Sequence, residues 1–177
     1  MPKVIVIAGT AGTGKTTIGV ALANHYHTQF IEGDNLHPKT NIDKMSHGIP
    51  LTDEDRWGWL KQISEFATTS ALENAKLGEE AIAVVSCSAL KKVYRDLIRE
   101  TSPDTEFIFT FLYCSVETLI ERVTQRKGHY MKSDMIQSQF DILQLPKEDE
   151  PGCIVLDVTE CAVEEVLEKA LDFVDGK

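Results

Sequence analysis

Eight residues near the N-terminus, Gly9-Thr10-Ala11-Gly12-Thr13-Gly14-Lys15-Thr16, constrain this chain more than any other feature. They follow the apolar run Val4–Ala8 and open a helical stretch. A G-x-x-x-x-G-K-[ST] string in that setting is a strand-to-helix turn whose backbone N–H groups converge on an anion. The helix N-terminus adds the positive end of its dipole, Lys15 reaches the β- and γ-phosphates, and Thr16 offers its hydroxyl to Mg²⁺. Gly9 through Thr16, with Thr17 beside them, are therefore the expected nucleotide site, and a nucleoside triphosphate is the expected ligand.

The remainder of the chain fits a turn of this kind. Short β-branched runs at Val4–Ala8, Ala81–Val85, Phe107–Leu112 and Ile154–Leu156, with a weaker one at Gln29–Ile31, read as strands. Helix-period stretches lie between them, including Leu90, Val93, Tyr94, Leu97, Ile98 and Val116, Leu119, Ile120, Val123. Strand alternating with helix implies an α/β fold of three layers, a central parallel sheet of about five strands with helices on both faces. Residues 1–177 read as a single domain with two interruptions. The first, 34–76, is a loop with two helices, the longer starting near Thr52 and turning Leu60, Ile63 and Ala67 inward. The second, 127–150, is polar, and its length suggests a mobile lid. Its closing Lys-Glu-Asp-Glu run reads as solvated charge.

Composition narrows the partners. The net charge is −10, with three Lys against ten Asp and Glu in residues 147–177, and there is no basic stripe for nucleic acid. Cys87, Cys114, Cys153 and Cys161 form no C-x-x-C pair or zinc spacing, which fits a reduced, cytoplasmic protein. No apolar run is long enough for a membrane span.

Glu32 and Asp34 stand just outside the second strand, where α/β sheets place ligands. In extended chain they point the same way, so one can orient the waters of Mg²⁺ while the other accepts a proton from an attacking hydroxyl. At this level a GTPase, an ATPase and a small-molecule kinase stay open, although no N-K-x-D string for guanine is in place.

Longer strings carry a resemblance. Phe30–Lys44 reads F-x-E-G-D-x-x-H-P-x-x-N-x-x-K, followed by Gly48-x-Pro50-Leu51-x-Asp53-x-Asp55-Arg56-x-x-Trp59-Leu60. Cys87-Ser88-Ala89-Leu90-Lys91-Lys92-x-Tyr94-Arg95-Asp96, Arg122-x-x-x-Arg126-x-Gly128-His129 and Ser138-Gln139 extend the pattern. Together they resemble the gluconokinase family over roughly residues 4–157. The resemblance implies the fold of the shikimate kinase and nucleoside monophosphate kinase group, a possible homodimer, and transfer of the ATP γ-phosphoryl to the 6-hydroxyl of D-gluconate. Another small hydroxy acid as acceptor, or a non-catalytic nucleotide-binding module, is the alternative.

Under that resemblance Glu32 joins Thr16 at the metal and Asp34 takes the reacting hydroxyl. Arg56 grips the substrate carboxylate, with Lys91 and Arg95 next in line on the helix face away from Leu90–Leu97; His37 and His129 complete the substrate set. Arg122 and Arg126 resemble lid arginines that neutralise charge on the moving phosphoryl group. Asp157 resembles the adenine-side loop, or serves equally as a helix N-cap. Cys87 reads as packing, and His25, His27 and His47 have no assigned role.

Overall fold

Val4 through Ala8 are buried on both faces, the burial expected of a central strand in a parallel sheet. The computed structural model describes residues 1–125 and 133–177. Its strands are β1 (Lys3–Ala8), β2 (Phe30–Glu32), β3 (Ile82–Ser86), β4 (Glu106–Tyr113) and β5 (Cys153–Asp157). All neighbours pair in parallel in the order β2-β3-β1-β4-β5, with Ile5 opposite both Val84 and Ile108. Each run expected as a strand overlaps one of these five, with Gln29 and Ala81 falling just before β2 and β3.

The helices are α1 (Lys15–His25), α2 (Lys39–Ser46), α3 (Asp53–Lys76), α4 (Lys92–Thr101), α5 (Val116–Gln125), α6 (Ser133–Ile142) and α7 (Val163–Val174). Because side chains alternate along a strand, the sheet divides the core in two. Val4, Val6 and Ala8 pack with Leu60, Ile63, Ala67 and Ala71 of α3 and with Tyr94 and Ile98 of α4. Ile5 and Ile7 face Ile18 and Leu22 of α1, Leu119 of α5 and Val166, Ala170 and Val174 of α7.

The first interruption contains α2 and α3, as expected. Thr52 stops the preceding chain and starts α3 with a capping box: its Oγ1 accepts from the Asp55 N–H at 3.3 Å, and the Asp55 carboxylate accepts from the Thr52 N–H at 2.8 Å. Asp53, Glu54 and Asp55 in the first turn suit the positive end of the helix dipole. That cap matters because Asp53 and Arg56 ride on this first turn.

Residues 126–132 lie outside the described residues, and with them Arg126, His129 and the start of the second interruption. Residues 143–152 correct one expectation. The acidic run is not wholly solvated, since Glu150 turns inward with its side chain 4% exposed and meets Arg95 Nε at 2.7 Å. Among the described residues no helix is long and apolar enough to cross a membrane.

Candidate functional site

The parallel sheet brings the C-terminal ends of β1, β2 and β3 to one edge, and the three loops leaving that edge build the site. The loop after β1 turns at Gly9, whose φ is +134° and where a Cβ would stand 2.4 Å from the Leu112 carbonyl oxygen. Only glycine fits there. The Lys15 ammonium folds back on this loop, donating to the Thr10 carbonyl at 2.8 Å and the Gly9 carbonyl at 3.1 Å. Burial pulls its pKa below the usual lysine value, while Asp34 and Glu32 oppose that pull.

β2 ends at Glu32, and Asp34 lies in a 3-10 turn, Gly33–Leu36. The extended-chain reason for pairing the two carboxylates therefore fails; the turn, not the strand, aims Asp34. The turn is held tightly. Its Gly33 N–H donates to Ser86 Oγ at 3.1 Å, Trp59 Nε1 donates to the Gly33 carbonyl at 2.8 Å, and a Cβ on Gly33 would collide with the Ser86 carbonyl oxygen at 1.9 Å.

Glu32, at the end of β2, links the start of α1 to the end of β3. Its Oε2 accepts from Thr16 Oγ1 at 2.9 Å and its Oε1 accepts from Ser86 Oγ at 2.6 Å. No cluster of three or more His, Cys, Asp or Glu suited to a metal occurs among the described residues. A hydroxyl and a carboxylate side by side at the mouth of a phosphate loop do fit Mg²⁺, which takes few protein oxygens and fills its remaining positions with water and phosphate.

One cavity runs from the phosphate loop to the first interruption, and Ala11, Lys15, Asp34, His37, Arg56 and Trp59 are among the residues that line it. Lys15 and Arg56 are its only Lys or Arg among the described residues. His37 is stacked on Trp59 with ring centroids 3.9 Å apart. Asn41 Nδ2 donates to the Asp55 carbonyl at 2.8 Å and meets His37 Nδ1 at 3.2 Å, so Nδ1 accepts and the proton sits on Nε2, which faces Asp34 Oδ1 at 3.8 Å. Burial, with the Arg56 charge nearby, lowers the His37 pKa to about 4, leaving it a neutral donor at pH 7. Cys87 also lines the cavity, but burial pushes its thiol up to about 12, which suits packing and not nucleophilic attack.

Two substrate candidates leave the set or its edge. Arg95 is fully buried. Its guanidinium donates to both Glu150 oxygens at 2.7 and 2.9 Å, to the Ala89 carbonyl at 2.8 Å and to the Gln144 carbonyl at 3.0 Å. With four of its five N–H groups engaged and no exposure, Arg95 is closed to a ligand and ties α4 to the chain on either side of it. Lys91 immediately precedes α4 and binds Asp53 at 3.0 Å. It does not line the cavity. The shared outward face expected for this pair is absent because Arg95 points into the core.

On the other side of the phosphate loop, Gly12, Thr13, Gly14, Thr17 and Arg122 line a second cavity with Val158 and Cys161. Arg122 Nη2 reaches the Val158 carbonyl at 3.5 Å. Asp157 lies in an adjoining hollow with Tyr113 and Thr159. Its Oδ1 accepts from the Thr159 N–H at 2.9 Å, and α7 begins only at Val163, so Asp157 shapes the loop and is not that helix's N-cap.

Sequence reasoning gave no role to Ser86, Tyr94 or Gln139, although Tyr94 and Gln139 stand in the strings that carry the resemblance. Ser86 was detectable as the polar residue closing an otherwise apolar strand. Gln139, whose Oε1 accepts from the Ala11 N–H at 2.8 Å, stands in the Ser138-Gln139 string, but nothing local ties it to a partner 128 residues away.

A parallel sheet bearing an anion nest, a lysine and a carboxylate within one cavity defines a P-loop phosphotransferase. Comparison with known proteins agrees: residues 1–141 match the family model of adenylylsulphate kinase. The probable gluconokinase of Saccharomyces cerevisiae is 49% identical over 160 residues, 87% of this chain and 81% of the yeast protein. The thermosensitive gluconokinase of Escherichia coli is 40% identical over 153 residues, 86% of this chain and 78% of that protein. The crystal structure of a gluconokinase from Sinorhizobium meliloti superposes with a TM-score of 0.83 at 42% identity, covering 99% of this chain and 93% of the other. The chain belongs to the gluconokinase family, a branch of the P-loop kinases that the adenylylsulphate kinase model also describes.

Proposed function

We propose that the protein transfers the γ-phosphoryl group of ATP to the 6-hydroxyl of D-gluconate, giving 6-phosphogluconate and ADP. The observation that carries this reading is the cavity in which Lys15 of the phosphate loop, Asp34 and Arg56 face a common space. A sugar acid needs a cation for its carboxylate at one end and a base for a hydroxyl at the other, and this cavity offers both.

Lys15 holds the β- and γ-phosphates against the backbone N–H groups of the loop. Asp34 accepts the proton of the 6-hydroxyl as its oxygen attacks phosphorus; the bond from phosphorus to the β–γ bridging oxygen breaks and ADP carries those electrons away. Arg56 binds the carboxylate, and the neutral His37 offers its Nε2–H near Asp34. Arg122, beside the nest, is placed to meet phosphate charge from the second cavity. Thr16 and Glu32 would hold Mg²⁺, which when bound neutralises charge on the phosphates. Thr17 and Asp157 belong to the nucleotide side of this reading.

The test is a coupled ADP-release assay over a panel of sugar acids and glucose, with Arg56→Leu alongside the native protein. Gluconate should be preferred to glucose by roughly 30-fold or more in kcat/KM, since a guanidinium shut off from water by the bound substrate and left without a carboxylate costs about 2–5 kcal/mol. Arg56→Leu should erase most of that preference. Turnover of another hydroxy acid with none of gluconate would overturn the substrate assignment.

A further inference from the structure

Behind Arg56, and outside the cavity, three side chains from the starts of α3 and α4 form a relay. Arg56 Nη1 donates to the Tyr94 hydroxyl at 3.0 Å, and no other hydrogen bond of Arg56 occurs among the described residues. The Tyr94 hydroxyl in turn donates to Asp53, which also takes the Lys91 ammonium at 3.0 and 3.3 Å. The Arg56 guanidinium lies 5.4 Å from the centroid of the Tyr94 ring, and Trp57 packs edge-on against the same ring at 5.7 Å. Tyr94 is 1% exposed and does not line the cavity, so it touches the substrate space only through Arg56.

A phenol has one proton and it is committed to an anion here, so the oxygen turned toward Arg56 can only accept. Donation to a carboxylate also polarises that oxygen and strengthens its bond to the guanidinium. Lys91 balances Asp53, which keeps the carboxylate from competing for Arg56 itself. The result is a guanidinium fixed at one Nη1 proton and held near the Tyr94 ring, on a side chain that lines the cavity.

We propose that Tyr94, backed by Asp53 and Lys91, is the positioning residue that orients Arg56 and thereby sets the preference of this kinase for a carboxylate-bearing substrate. The proposal rests on Arg56 being the carboxylate clamp. It assigns Lys91 to the support of that clamp and not to the substrate.

The experiment measures kcat and KM for gluconate, ATP and glucose in the native protein, Tyr94→Phe and Arg56→Leu, with thermal melting of each. Tyr94→Phe keeps the ring and its packing beside Arg56, and removes the hydroxyl that accepts from Arg56 and donates to Asp53. It should raise the gluconate KM about tenfold, the worth of a hydrogen bond to a charged group, while kcat stays within about twofold because the carboxylate is remote from the reacting hydroxyl. The ATP KM and the low activity on glucose should not move. Asp53→Asn, on the partly exposed first turn of α3, should shift the gluconate KM in the same direction and serves alone if Tyr94→Phe does not fold. An unchanged gluconate KM in the Tyr94→Phe or Asp53→Asn protein, beside an Arg56→Leu protein that has lost acid preference, overturns the positioning role and leaves the clamp intact. Equal losses on gluconate and glucose also overturn it, as a purely structural effect would read that way. Acid preference that survives in Arg56→Leu overturns the clamp instead.

Discussion

Replacing Arg95 by Met keeps most of the apolar stem and deletes a guanidinium that makes four hydrogen bonds, two of them to the buried Glu150. Removing one partner of a buried ion pair costs about 3–5 kcal/mol, because the other charge is left desolvated. Arg99 still stands 3.4 Å from Glu150, which moves the expectation to the lower end, about 3 kcal/mol. For a domain of this length that is roughly 6–12 °C in Tm. Urea unfolding followed by the fluorescence of Trp57 and Trp59 reads the loss directly. It should also depend on pH. Burial alone would raise the Glu150 carboxyl, and Arg95 outweighs that to hold it below the usual carboxylate range. Without Arg95 the folded-state pKa rises toward or above the unfolded one. The native protein gains stability from Glu150 as pH rises through the carboxylate range and the variant does not, so the deficit should be smaller at pH 4.5 than at pH 7. Adding Glu150→Leu to Arg95→Met should recover stability at neutral pH. The folded variant should keep the native gluconate KM within about twofold. A loss below about 1 kcal/mol refutes the ion-pair reasoning, and a large rise in gluconate KM at native stability would return Arg95 to the substrate site.

Asp34→Asn should lower kcat by roughly 10²-fold or more with ATP affinity nearly unchanged, since an amide cannot take up the hydroxyl proton. Steady-state kinetics decide it, and a kcat within about threefold of native excludes Asp34 as the base. His37, with its pKa lowered to about 4 by burial and by Arg56, binds its proton less readily folded than unfolded. Between about pH 6.5 and 4 the unfolded chain therefore takes up more protons, and stability falls as pH falls, by up to roughly 3 kcal/mol from this group. Comparing the urea-derived stability of native protein and His37→Asn across that range isolates the effect; parallel pH profiles would disprove it.

Much of the architecture was legible from local pattern. Apolar runs bounded by polar residues marked all five strands, and α3, expected to start near Thr52, begins at Asp53 with Thr52 as its cap. The phosphate loop was legible because its requirements are local: a tight turn at Gly9, a lysine and a hydroxyl at set spacing. Arg56 was recognisable only through longer strings, and the extended-strand geometry expected for Asp34 gave way to a turn dictated by the contact of Gly33 with Ser86.

The errors share one physical origin. A charged side chain in sequence looks like a solvated or ligand-seeking group, and only its tertiary partner says otherwise. Arg95 and Glu150 are 55 residues apart, and neither position reveals that each neutralises the other inside the core. Likewise the path from Lys91 through Asp53 and Tyr94 to Arg56 joins two helix starts that only the packing of α3 against α4 brings together. Sequence alone determined the parallel sheet, the nucleotide loop and the chemical types available, because backbone periodicity and turn chemistry act over a few residues. Which cation faces the substrate and which is buried in an ion pair was decided by tertiary structure, since desolvation and pairing depend on neighbours that no local pattern encodes.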